Sequence, residues 1–192
     1  MKDDPTRGAF AAAEKSISAL SFRHDLVVHP ISAPQGLAPF SLALAADVRP
    51  DEHGESPYGT GRLVLLHDPA EPDAWDGAWR IVAFAQAPLE NEIGTDPLLA
   101  DVAWSWLIDA LESRGAPYHS ASGTATKMLS KGFGSLAPEG AGAQIELRAS
   151  WSPEDDLDAH VEAWAELVCM LAGLPPGSED VEVLGARRWE SA

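Results

Sequence analysis

Apolar residues recur along this chain with two periods, helical steps of three and four and strict alternation, and each change of period marks a boundary between elements. Phe10, Ala13, Ile17 and Leu20 form a first helical stripe. Asp4 is placed to cap that helix, with Pro5 at its first position, where a missing N–H costs nothing. Around Arg23 the pattern turns to alternation, and Leu26 and Val28 start a short strand expected to end before Pro30. After the turn Ala33-Pro34-Gln35-Gly36, a second strand points Phe40, Leu42, Leu44 and Val48 to one side and the smaller or polar Ser41, Ala43, Ala45 and Asp47 to the other. Residues 49–60 read as a polar loop. The third strand, 61–67, carries Leu63-Val64-Leu65-Leu66, a run that predicts a central strand covered on both faces. Asp68-Pro69 stops it, 70–77 is a turn-rich connection, and a fourth strand over 79–87 is expected to end at Pro88.

The second helix is predicted from Asp96 as cap and Pro97 at the first position, with Leu98, Leu99, Val102, Ala103, Trp106, Leu107, Ala110 and Leu111 on its apolar stripe. Gly115 and Pro117 stop it. A strand follows over 118–129, weakened by Gly123, then a Gly/Ala/Pro loop over 131–142. Residues 144–151 give the cleanest alternation, with Ile145, Leu147, Ala149 and Trp151 on one face of a half-solvated strand. Ser152 and Pro153 read as the start of a third helix, with Asp155 and Asp156 in its first turn and Leu157, Val161, Trp164, Val168 and Leu171 buried. Gly173, Pro175 and Pro176 end it. Consecutive strands without helices between them argue for an α+β fold, a single mostly antiparallel sheet of about six strands with three helices on one or both faces, in the order α-β-β-β-β-α-β-β-α. The predicted organisation is one domain over 1–176 and a polar, mobile tail over 177–192.

The length of 192 residues suits that single domain. No apolar run is long enough for a membrane helix, and Met1-Lys2-Asp3-Asp4-Pro5 lacks a secretory signal pattern. A lone cysteine, Cys169, excludes an internal disulfide framework, so a cytoplasmic location is expected. Asp and Glu number 30 against 13 Lys and Arg, a formal charge of −17. Such a chain repels phosphate backbones, and its densest basic groups, Arg187-Arg188 and Lys127 with Lys131, make no stripe, so direct nucleic-acid binding is not expected. The acidity is explained by a solvated surface; attraction to a basic partner or a divalent cation is the sharper alternative.

Candidate chemistry is sparse. Asp156 and His160, four apart on a helix, could share one metal ion, but the sequence identifies no third ligand. An acidic helix start with an ordinary i,i+4 pair is the favoured explanation, since two ligands do not make a closed site. His67-Asp68 ends a strand where a cleft could lie, yet adjacent strand residues face opposite ways, and Asp-Pro is an ordinary strand exit. Neither Ser122 nor Ser135 has the spacing of a nucleophile elbow, and Cys169 lies on an apolar helix face with nothing basic beside it. Gly59-Thr60-Gly61, Gly132-x-Gly134 and Gly140-x-Gly142 all precede strands rather than helices, so none offers a helix N-terminus to a phosphate. No catalytic set and no cofactor are therefore predicted. Of the seven tryptophans, Trp106, Trp151 and Trp164 fall on core faces, whereas Trp75, Trp79 and Trp104 do not fit so neatly. Closure of one core explains them; so does a pocket rim or an interface anchor, which makes His67, Asp68, Trp75, Trp79 and Trp104 the ligand- or partner-binding candidates.

Several long stretches carry a resemblance. They are Leu37-Ala38-Pro39-Phe40, then Gly61-Arg62-Leu63-Val64-Leu65-Leu66-His67-Asp68-Pro69 through Trp75-Asp76-Gly77. Asp96-Pro97-Leu98-Leu99 with Trp104-Ser105-Trp106-Leu107 follows, and then Gln144-Ile145-Glu146-Leu147-Arg148-Ala149-Ser150-Trp151 with His160-Val161-Glu162-Ala163-Trp164. Together these resemble the uncharacterised actinobacterial family called domain of unknown function three thousand, over nearly the whole chain up to Pro176. The resemblance implies a one-domain cytoplasmic protein and brings no catalytic residues. It also implies genes near those of a ribonuclease-D-like exonuclease and a tetrapyrrole-synthesis decarboxylase, an association without mechanism.

Three readings follow. The first is a non-enzymatic protein-binding or adaptor module, self-associating or serving a larger protein. The second is a small-ligand protein, enzyme or carrier, with a sheet–helix pocket near His67, Trp75 and Trp79. The third is an accessory of RNA processing acting through protein contacts.

Overall fold

Six strands form one antiparallel sheet in the order β1-β2-β3-β4-β6-β5 in the computed structural model, which describes residues 5–48 and 59–174. The strands are β1 (Leu26–Ile31), β2 (Phe40–Val48), β3 (Thr60–His67), β4 (Trp79–Leu89), β5 (Tyr118–Lys131) and β6 (Ala141–Pro153). Helix α1 (Pro5–Ser18) precedes them, a one-turn α2 (Asn91–Gly94) and α3 (Leu99–Ser113) link β4 to β5, and α4 (Leu157–Leu171) follows β6. The cap at Asp4, most of the 49–60 loop and the 177–192 tail lie outside the described residues. Chain order and α+β class agree with the pattern of periods, with the small α2 added.

Cross-strand register sorts the side chains into two layers. Leu44, Leu63, Ala83 and Ala149 lie opposite one another across four strands, as do Leu42, Leu65, Ile81 and Trp151. This face carries the core, and all the helices pack on it. Phe10 of α1 stacks on Phe40, Trp104 of α3 touches Gly123, and Trp164 and Val168 of α4 close on Gly61. Ten residues of α4 are buried, so this helix is the main cover of the sheet centre. The opposite face is open: Arg62 and Arg148 are exposed, Val82 is 42% exposed, and Val64 and Phe84 are half-buried. Within the Leu63–Leu66 run, Leu63 and Leu65 are buried under the helices, while on the other face, which no helix of the described residues crosses, Val64 is half-buried and Leu66 is buried.

Two prolines sit inside strands that were expected to stop at them. Pro30 belongs to β1, an edge strand, where a missing N–H leaves no ladder bond unmade. Pro88 belongs to β4 past Gln86, which lies opposite Thr60 at the start of β3; among the described residues only β6 flanks β4 there. Helix starts also shift. Helix α3 begins at Leu99, two residues after Pro97, with the Asp96 carboxylate accepting the Leu98 N–H at 2.8 Å. Leu98 and Val102 consequently point outward. Ser152 and Pro153 are not a helix start: they pair with His119 and Tyr118 as the end of β6. Asp156, held left-handed at φ +45°, caps α4 instead, its carboxylate accepting the Ala159 N–H at 3.3 Å. Between β5 and β6 a 3₁₀ turn (Gly134–Glu139) fills the predicted loop. Among the described residues no helix is long and apolar enough to cross a membrane.

Candidate functional site

His67 and Trp79 are opposite one another on β3 and β4, with Phe40 of β2 on the other side of His67, all on the helix-bearing face. The His67 and Trp79 rings stack at 4.0 Å between centroids, and Phe10 lies against Phe40 at 5.5 Å and Trp79 at 6.2 Å. His67 is 5% exposed, and its Nδ1 meets the Ala78 carbonyl at 3.2 Å, a contact that needs a proton on Nδ1. This is an aromatic closure of one end of the core, with α1 as its lid. Asp68 points the other way: its backbone N–H donates to the Ala78 carbonyl and its Oδ1 accepts from Ala70, the local turn of a strand exit. Trp75, half-buried on the following turn, offers its carbonyl to the Ser152 hydroxyl. Trp104 lies two strands from Trp79, against Gly123 of β5, where a Cβ would come within 2.7 Å of its ring. The five predicted binding residues thus divide between the stack, the 68–78 connection and the α3–β5 contact.

Asp156 and His160 are likewise engaged separately. His160 is fully buried and its Nδ1 accepts the Trp151 indole N–H at 3.1 Å, while Asp156 is exposed at the helix cap. Desolvation pushes the His160 imidazole below its ordinary value, against the opposing pull of the Asp155 and Pro117 carbonyls and the Asp156 charge. Among the described residues no three His, Cys, Asp or Glu side chains gather around a possible metal. Cys169 is fully buried, and desolvation pushes its thiol up to about 12.

A polar cluster that the sequence reading did not single out stands on the open face of the sheet. Arg80 donates through Nη1 to the Ser120 carbonyl at 3.0 Å and Ser152 Oγ at 3.1 Å, and through Nη2 to Ser150 Oγ at 2.7 Å. Ser122 Oγ is 3.5 Å from Ser150 Oγ. His119 donates through Nε2 to the Asp76 carbonyl at 2.9 Å, and its Nδ1 lies 3.5 Å from Glu154 Oε1. Ser120 and Asp76 both have positive φ, +52° and +54°, at a register break of the β5–β6 ladder and in the Trp75 turn. Burial pushes the Arg80 guanidinium below its ordinary value. The alternating serines Ser120, Ser122, Ser150 and Ser152 were the available sequence signal.

One stretch of the surface is apolar. Ile93, Leu98, Leu129, Phe133 and Leu136 are 47–73% exposed and lie on α2, at the start of α3, at the end of β5 and on the 3₁₀ turn. These segments adjoin: a Cβ at Gly94 would meet Leu129, Lys127 donates to the Asp96 carbonyl, and Gly132 packs on Leu136. A separate open depression of about 510 Å³ lies where α3 meets β5, lined by Leu111, Ala116, Pro117, Tyr118, Glu112 and Glu154. Neither His67 nor Trp79, where a pocket was expected, lines it, and Phe10 packs on Trp79.

The model of a family described as "Protein of unknown function (DUF3000)" matches residues 6–182. No curated protein and no solved structure matches the chain.

Proposed function

Because the chain belongs to the DUF3000 family, whose description carries no activity, its surface chemistry must supply the reading, and we propose that it is a cytoplasmic, non-enzymatic protein-binding module. The observation that carries this is the apolar patch around the free edge of β5, where Phe133 is 73%, Leu98 62% and Leu129 61% exposed. β5 is 14 residues long and, among the described residues, has β6 on one side and no strand on the other. A long bare edge offers a row of unpaired backbone donors and acceptors, and flanking apolar side chains add affinity when a partner covers them. The partner is a different protein rather than a second copy, since two chains of −17 repel each other. Phe10 lies against Trp79 where a small ligand would have to sit, which counts against the pocket reading.

The test uses the full chain and its Leu129→Asp/Phe133→Asp variant as paired baits in the native host, with retained proteins and small molecules both identified. We expect at least one protein retained roughly tenfold more by the unaltered chain, a loss of about 1.4 kcal/mol or more. Identical protein profiles, or a retained small molecule with no protein, would overturn the reading.

A further inference from the structure

We propose that Arg80, Ser122 and Ser150 form a binding site for the phosphoryl group of a small phosphorylated molecule, on the open face of the sheet. The inference is independent of the β5-edge reading. A guanidinium has five N–H donors, and those of Arg80 that are bonded reach three neutral oxygens: the Ser120 carbonyl and the Ser150 and Ser152 hydroxyls. Nε–H and one Nη2–H have no acceptor among the described residues. In a chain of −17, Arg23, Arg114 and Arg148 each pair with a carboxylate, whereas Arg80 has none among the described residues. A guanidinium with spare N–H donors and no carboxylate is suited to receive the oxygens of an anion.

Its surroundings extend that donor set. The partly buried Ser150 hydroxyl already accepts from Nη2, so its own proton is available, and the exposed Ser122 hydroxyl stands beside it. A planar carboxylate is satisfied by the guanidinium alone, while a tetrahedral phosphoryl group has further oxygens for the two hydroxyls. The positive-φ Ser120 aims its carbonyl at Nη1 and so helps to hold the guanidinium in place. Val82, 42% exposed, follows Arg80 on the same face, opposite Ser150 and Val64, giving an apolar floor for the body of the ligand. The Asp76 and Glu154 carboxylates nearby are turned to His119, at 3.9 and 3.5 Å.

Backbone amide shifts of the full chain, titrated with inorganic phosphate, phenyl phosphate, acetate and a phosphoserine peptide, test the site. Saturable shifts centred on Ser120, Ser122 and Ser150 are expected with both phosphates, tighter for phenyl phosphate. Arg80→Lys should weaken them at least tenfold and Ser122→Ala severalfold, with Arg62→Lys unchanged. Because Ser122 is exposed, its variant keeps the test decisive if Arg80→Lys disturbs the sheet. Non-saturable shifts, equal loss in Arg62→Lys, or acetate binding as well as phosphate would overturn the proposal. A phosphoserine peptide binding tenfold tighter than phenyl phosphate would overturn the small-molecule assignment.

Discussion

The Trp151 indole donates to Nδ1 of His160 with both side chains fully buried, so the His160 proton resides on Nε2, which has no hydrogen-bond partner among the described residues. The bond joins β6 to α4 inside the core. It also tells which form of the imidazole the fold accepts: a second proton on Nδ1 would face the indole N–H donor to donor.

Stability should therefore fall in acid. Burial holds the folded His160 below its ordinary value of 6.5, so below that pH the unfolded chain takes up a proton that the folded chain refuses. The contribution is complete above pH ~6.5 and is lost as pH drops toward the folded value. Urea midpoints should be lower at pH 5 than at pH 8. His160→Phe should cost about 1–3 kcal/mol at pH 8 by orphaning the indole N–H, but show a smaller acid decrement. Equal decrements in the two proteins would refute this.

Cys169 should be inert in the native state. With its thiol raised to about 12 and its surface fully covered, iodoacetamide at pH 8 should leave the folded protein unlabelled over hours and label it fully in guanidinium. Rapid native labelling would mean that α4 opens.

Gly61 is where β3 and α4 touch. A Cβ there would lie 2.5 Å from Val168 Cγ2 and 3.0 Å from the Trp164 ring. Gly61→Ala should cost about 1–3 kcal/mol by overpacking, visible as a lower thermal midpoint. A midpoint unchanged within error would place the helix farther from the strand.

Helix α3 supplies an internal comparison. Leu107 is fully buried and Leu98 is 62% exposed. Leu107→Ala should cost about 2–5 kcal/mol, and Leu98→Ala less than about 0.5. Denaturant unfolding of the two variants checks both values.

Much of this fold is legible in the chain because its periods are clean; what failed was competition between local signals and the sheet. Asp96-Pro97 and Ser152-Pro153 carry the same cap-then-proline signature. The first stands two residues before a helix. The second stays in a strand, because Ser152 is held by the Trp75 carbonyl and by Arg80. Pro30 and Pro88 were misread as stops because a proline's tolerance depends on which side of the strand has a neighbour, and no local pattern records that. His67 and Trp79 were identifiable as unusual residues, but their stacking with Phe10 was not. The Arg80 cluster was hidden more deeply, since its bonds join residues 40, 70 and 72 positions apart through a β-bulge that alternation does not reveal.

The lateness of α4 has a cost during synthesis. A ribosome that has reached Pro153 has produced every strand of the sheet but not the helix that will lie over its centre. Until some twenty further residues emerge, the nascent chain presents a broad greasy surface to whatever is near, so translation arrested there would yield a sticky fragment rather than a smaller working protein.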